Sequence, residues 1–307
     1  MQAVYECEVH QPLRWLNESV GVLEGPTNTV FCRRGREALV IDPGLNRAAA
    51  ERVREALTEE DLTPAALLFT HAHADHSGAC HYLQKWFSVP AFGPPLEAEI
   101  ASAPFLEPIY LSGGAEPLPE LTEPFTLARP AEIAGRITEK VFRYRDFELG
   151  VLPLPGHSPG MVGYEVEEGI LAAGDALILA PFRAKYPIPY LTDLAKTRAS
   201  LAEVERKAPA WTIPGHGSVL DPEGLRRELA GNRECLDELE RLVLEALSEP
   251  ATNQEVLARL VAAVDLEMKT LVHFVLDLTT VNAILTDLAR RGLAAYRVEG
   301  NRLLWRG

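Results

Sequence analysis

Between Thr70 and Gly78 the chain reads THAHADHSG, which places three imidazoles and a carboxylate within six residues. In an extended segment residues i and i+2 point the same way, so His71 and His73 can present two ring nitrogens to one cation. Asp75 and His76 follow where strand gives way to helix, within reach of a second cation and poorly placed to share the first. Gly78 lets the chain approach itself closely there. Imidazole and carboxylate without thiolate suit zinc, with iron or manganese as other candidates. Solvated turns favour Asn, Ser and Gly over clustered imidazole, so an ordinary polar turn is a poor account of this stretch.

Two cations need more than four ligands, and three further turns supply them. LPGHSPG offers His157, AAGDAL offers Asp175 and IPGHG offers His216. Each follows an apolar, strand-like run and sits in a Gly- or Pro-rich turn. Ligands at strand ends converge on one edge of a sheet, where α/β folds place their sites. Five of the eight histidines are used in this way. His10, His81 and His273 stand alone and read as hydrogen-bonded residues outside the site.

The surrounding pattern supplies the elements that must hold these turns. Residues 28–44 read as a hairpin joined at Arg33-Arg34-Gly35. Residues 46–62 read as a helix capped by Asn46. AALLFT, residues 65–70, is a short buried strand that runs straight into the histidines. Strand signals return at FELGVLPLPGH, GYEVEEGILAAGD and AWTIPGHG, with a helix over 193–207 between the last two. Residues 90–130 contain nine of the 23 prolines, which makes long regular elements unfavourable there. Their apolar residues still call for an ordered insertion, expected either to form a lid over the pocket or to be plain surface packing. From about 222 the chain reads as helical. Thr252 and Glu255 have capping-box spacing, Val281, Ile284, Leu285 and Leu288 lie on one helical face, and a final hairpin turns at Glu299-Gly300-Asn301. Helices followed by a hairpin suggest a winged-helix-like domain over 222–307, after a catalytic domain over 1–221.

The composition, 47% apolar and 24% charged, fits a globular protein with a full core. The net charge of −14 disfavours phosphate backbones and anionic membranes. Both parts are acidic, with 21 basic against 32 acidic side chains up to residue 231 and 9 against 12 beyond it. No basic track marks an RNA hydrolase. The four cysteines, Cys7, Cys32, Cys80 and Cys235, form no CxxC pair and read as buried thiols in a reducing compartment. The N-terminus has no signal-peptide pattern, and no stretch approaches the roughly 18 apolar residues of a membrane span. A cytoplasmic protein is therefore expected.

The set H-x-H-x-D-H, GHSPG, GD and GHG resembles the metallo-β-lactamase superfamily over about the first 220 residues. The resemblance implies a four-layered αβ/βα sandwich with the site at one edge of the paired sheets. It implies that His71, His73 and His157 hold one metal, that Asp75, His76 and His216 hold a second, and that Asp175 bridges them together with a water or hydroxide. LVIDPG resembles the family's early strand and makes Asp42 an outer partner of the ligands. His at position 73 argues against the redox di-iron members, and the ligand turns lack the cysteine of true class B1 β-lactamases. The pattern is closer to hydroxyacylglutathione hydrolase, lactonases and RNase Z-type nucleases.

The implied chemistry is hydrolysis by a metal-bridging hydroxide, with Asp75 orienting the nucleophile and passing a proton to the leaving group. The acidity favours a small thioester, ester or lactone as substrate. An RNA-cleaving nuclease, a persulfide dioxygenase-like iron enzyme and a DNA-contacting regulator are the alternatives. Arg183, Lys185, Tyr186 and Tyr190, in the segment after Asp175, are candidates for substrate recognition or else ordinary surface residues. A homodimer is compatible with the sequence.

Overall fold

The computed structural model describes residues 12–167 and 169–307. Cys7, His10 and the N-terminal stretch inspected for a leader lie outside the described residues. Seven strands form the first sheet in sequential order: β1 (Arg14–Trp15), β2 (Val20–Leu23), β3 (Thr29–Arg34), β4 (Glu37–Ile41), β5 (Thr63–Leu68), β6 (Ala91–Gly93) and β7 (Ile133–Arg136). Pairing is antiparallel from β1 to β4 and parallel from β4 to β7. The second sheet contains β8 (Val141–Tyr144), β9 (Phe147–Pro153), β10 (Val162–Glu167), β11 (Ile170–Gly174) and β12 (Trp211–Pro214), in the order β12-β11-β10-β9-β8. Only β11 and β12 run parallel within it.

Alternation along the strands divides the interior into layers. Val30 and Cys32 of β3 join Leu149, Tyr164 and Ala172 of the second sheet in a core between the sheets. Phe31, between them in sequence, faces the other way, toward the helices α1 (Arg47–Glu59) and α3 (Cys80–Phe87), which flank the short α2 (Ala74–Ser77) in sequence. Leu171 and Ala173 turn to the outer face of the second sheet, under α7 (Leu194–Lys207) and α8 (Pro222–Ala246). Helix, sheet, sheet, helix is the four-layered order expected.

Local chemistry explains most boundaries. Asn46 caps α1 by accepting from Ala49 N. The β3–β4 turn falls at Gly35-Arg36, slightly later than the sequence suggests, because Gly35 supplies the positive φ of 59°. The strands β1, β2, β7 and β8 carry two to four residues each, too short for their periodicity to register. The proline-rich insertion is ordered, and its prolines open short helices rather than excluding them. α4 (Pro95–Ser102) begins on Pro95, and a 3₁₀ turn, Pro119–Leu121, begins on Pro119. α5 (Leu106–Leu111) lies between them, and α6 (Ala180–Lys185) follows β11.

The tail consists of α8, α9 (Asn253–Ala263), α10 (Leu271–Arg290) and the hairpin of β13 (Ala295–Glu299) and β14 (Arg302–Arg306). The Thr252–Glu255 capping box is formed. The hairpin turns on Gly300 and Asn301, both at positive φ, as a two-residue loop requires. α10 is long and apolar enough to cross a membrane by length and composition, with mean hydropathy 1.4, although the sequence shows no uninterrupted apolar run. It packs instead on α7, α8 and α9. The core beneath the tail does not stop at residue 221: Leu152 and Leu154 of the second sheet share one cluster with Leu236, Val256 and Ile284.

Candidate metal centre

All seven side chains singled out from the four turns meet at the ends of β5, β9, β11 and β12. His71, His73 and His157 form one group whose ligand atoms face each other, and Asp75, His76 and His216 form a second. His73 Nδ1 lies 3.0 Å from both His71 Nε2 and His157 Nε2. His216 Nε2 lies 3.3 Å from Asp75 Oδ2. Asp175 stands between the groups. Its Oδ2 is 3.4 Å from His157 Nε2 and 3.4 Å from His216 Nε2, and its Oδ1 is 3.4 Å from His76 Nε2.

The outward nitrogens of four of the five rings reveal what the inward ones must be. His76 Nδ1 meets Asp42 Oδ2 at 3.0 Å, and His71 Nδ1 meets Thr70 Oγ1 at 3.0 Å. Thr70 Oγ1 itself donates to Asp42 Oδ2 at 2.8 Å, so one carboxylate orients two rings. His157 Nδ1 donates to the Tyr190 carbonyl at 3.1 Å, and His216 Nδ1 to the Pro26 carbonyl. With protons committed outward, the inward nitrogens of the neutral rings carry lone pairs. Those of His71, His73 and His157 face one another and Asp175, acceptor against acceptor. His76 Nε2 and Asp175 Oδ1 are buried with no hydrogen-bond partner among the described residues. Cations at this point would satisfy the whole set, and the donor types fit divalent metals bound by nitrogen and oxygen.

The two groups differ in their protonation. Burial pushes His73 and His157 down to about 4, and burial followed by the neighbouring His76 drives His71 well below its usual range. Burial also opposes charge on His76, yet Asp175, Asp42 and Asp75 together hold it up at about 10. His216 is raised in the same way by Asp175 and Asp75 against its burial. Asp175 is buried and Asp75 partly so, which opposes their charge, but the surrounding imidazoles keep both carboxyls well below the usual carboxylate range.

Several residues that hold the centre escape sequence reading. Glu97 on α4 is buried. Its Oε2 accepts from Ala72 N at 2.9 Å, and its Oε1 accepts from Ser158 Oγ at 2.8 Å and Gly160 N at 2.7 Å, tying the His73 turn to the His157 turn. The Asn28 amide donates to the carbonyls of Pro214 at 2.9 Å and Gly217 at 2.6 Å, which brackets His216. A Cβ on Gly215 would collide with Asp175 Oδ1, so only glycine allows that close approach. Glu107 on α5 comes within 4.0 Å of His73 Nε2. Burial first, then the charges of Asp75 and Glu97, push its carboxyl well above the usual range. The insertion thus reaches the centre with two carboxyl groups.

Of the four candidates for substrate recognition, Tyr190 stands at the centre, its ring 5.5 Å from the rings of both His73 and His157. Its hydroxyl is buried beside Tyr110 and Glu107 and has no well-aligned partner among the described residues. Arg183 faces α8 and pairs with Glu228 at 2.9 Å. Lys185 lies over the Tyr186 ring, and Tyr186 lies near His273. His81 meets the Pro130 carbonyl at 2.9 Å, away from the centre.

The sandwich and its edge of facing imidazoles and carboxylates define a metal-dependent hydrolase. Residues 22–216 match the family model of the metallo-beta-lactamase superfamily, and the chain belongs to that superfamily. Among curated relatives, the probable metallo-hydrolase YqgX of Bacillus subtilis is 29% identical over 217 residues, 69% of this chain and 90% of its own. The hydroxyacylglutathione hydrolase GloC of Haemophilus influenzae is 30% identical over 190 residues, 60% of this chain and 81% of its own. Among solved structures, a beta-lactamase domain protein from Burkholderia ambifaria superposes with a TM-score of 0.76 at 18% identity, covering 96% of this chain and 94% of its own. A metallo-beta-lactamase family protein from Thermus thermophilus gives 0.71 at 19% identity, over 94% and 97%. The shared fold therefore extends over the helical tail.

Proposed function

We propose that the chain is a dinuclear hydrolase of a small thioester, ester or lactone. The observation that carries this reading is the position of Asp175, whose two oxygens face inward nitrogens of both histidine groups at 3.4 Å. His71, His73 and His157 would hold one divalent cation and Asp75, His76 and His216 a second, with Asp175 shared and zinc favoured by the donor types. Such a pair, when bound, lowers the pKa of a water and polarises a substrate oxygen. Asp75 is an ionised carboxylate at the mouth of the second group. It orients the attacking water by accepting its hydrogen and returns a proton to the departing thiolate or alkoxide. Tyr190 lines the centre with its ring and would contact the substrate there, while Lys185 and Tyr186 supply contacts further out.

The substrate class is supported by the relatives named hydroxyacylglutathione hydrolase and by charge. The tail, three helices closed by a two-stranded wing, is winged-helix-like, but its basic pair is neutralised internally. Arg290 lies 3.4 Å from Asp193, and Arg291 lies 2.8 Å from Glu240 and 2.9 Å from Asp287. Guanidinium groups committed to carboxylates are poor phosphate contacts, which argues against nucleic acid as substrate. The deciding experiment compares zinc- and manganese-loaded protein on thioesters, lactones and single-stranded RNA. Turnover of a thioester or lactone without RNA cleavage is expected. Preferential cleavage of RNA would overturn the substrate assignment.

A further inference from the structure

The peptide unit joining Tyr190 to Leu191 has both polar ends committed. Its carbonyl oxygen lies 3.1 Å from His157 Nδ1, and its N–H donates to Thr280 Oγ1 at 3.2 Å. The unit is trans and planar, so its two ends point in opposite directions and cannot turn independently. The Thr280 hydroxyl in turn donates to the Pro189 carbonyl at 3.1 Å. Neither Pro189 O nor Leu191 N has another partner among the described residues.

Thr280 is fully buried in the middle of α10. A helical threonine ordinarily bonds the carbonyl four residues back. Thr279 does so, to Val275 O at 2.8 Å, whereas Thr280 stands 3.5 Å from Leu276 O and turns its hydrogen out of the helix. The next part of the loop is fastened elsewhere, since Thr192 donates to Gly156 O through its N–H at 2.7 Å and its hydroxyl at 3.0 Å. Those bonds fix how near the loop lies but leave the rotation of the 190–191 peptide to Thr280.

We propose that Thr280 is a positioning residue of the metal centre: through the Tyr190–Leu191 peptide it sets the orientation of the His157 ring. The helical tail is then part of the metal-binding apparatus, not an appendage to it. The inference rests on the reading of His157 as a metal ligand.

The test titrates metal-free protein with cobalt(II), following the visible spectrum, and with zinc against a competing chelator. Thr280→Val keeps the shape and removes both hydrogen bonds. It is expected to weaken cation binding about tenfold, at the lower end for partners that orient a metal ligand, and to change the cobalt spectrum. Thr280→Ser should behave as the unaltered protein. Thr279→Val, whose hydroxyl serves its own helix, should do the same. Wild-type affinity and spectrum in Thr280→Val would overturn the proposal. Failure of the unaltered protein to take up either cation would instead remove the metal reading on which it stands. Hydrogen exchange of the Leu191 amide in the unaltered protein needs no variant: protection like that of α10 amides supports the proposal, and loop-like exchange overturns it.

Discussion

The two halves of the centre both present imidazoles and are tuned in opposite directions. His71, His73 and His157 form an all-imidazole group, and burial strips it of protons. His76 and His216 share their space with Asp75 and Asp175, and those carboxylates hold protons on both rings despite burial. Desolvation prevails where at most one ionised carboxylate is close to a ring, as at His157, and Coulomb attraction prevails where two or more are, as at His76 and His216. On the proposed dinuclear reading, the first half is ready for a cation at neutral pH, while the second must release two protons to accept one.

The largest expected effect separates chemistry from binding. Asp75→Asn should lower kcat/KM by about 10²–10⁴-fold with metal content kept, as loss of a proton-handling group does. Full activity in that variant, with metal content measured by mass spectrometry, would refute the role given to Asp75. Next comes the carboxylate that serves both halves. Asp42→Asn should weaken cation binding at both, by about 10–100-fold, because Asp42 orients His76 directly and His71 through Thr70. Thr70→Val should weaken only the first half, and equal losses in both halves would erase the distinction.

The pH dependence sharpens the contrast. His73 and His157 titrate at about 4, so uptake by the first half should be flat between about pH 6 and 8. His76 keeps its proton up to about 10 and His216 is raised in the same way, so uptake by the second half should strengthen by up to about a hundredfold per pH unit over that range, two protons leaving per cation. Chelator-competition titrations at three pH values would show one flat and one sloping phase. The smallest effect provides a reference outside the centre. Burial alone pushes the Asp277 carboxyl on α10 up to about 7. The folded state then binds a proton that the unfolded chain has lost, so this contribution is complete below the usual carboxylate range and disappears as pH rises through about 7. Asp277→Asn should raise the melting temperature by about 1–3 °C at pH 8 and leave it unchanged near pH 4.

The parts of this site that could be read from sequence are those fixed by local spacing. His71, His73, Asp75 and His76 fall together because a strand end and one helical turn allow little else, and the Gly- and Pro-rich turns flagged His157, Asp175 and His216. Apart from Asp42, which a family resemblance suggested, the supports could not be read, because their partners are remote in the chain. Glu97 meets Gly160 across 63 residues, and Thr280 meets Leu191 across 89. Glutamate on a short helix and threonine in the middle of a long one have no distinguishing local pattern. The commitment of Arg183 to Glu228, 45 residues away, was equally hidden. The insertion shows the reverse problem: its prolines were plain, but proline can start a helix as readily as prevent one, and only packing decides between them.

The cluster that runs from Leu152 to Ile284 has a consequence for how the molecule can be divided. A chain ended near 221 would leave Leu171, Leu201 and Val204 without their cover, an oily face prone to self-association. Calorimetry of the whole chain should accordingly trace one cooperative melt, and a trimmed fragment would be a poor minimal enzyme however complete its histidines.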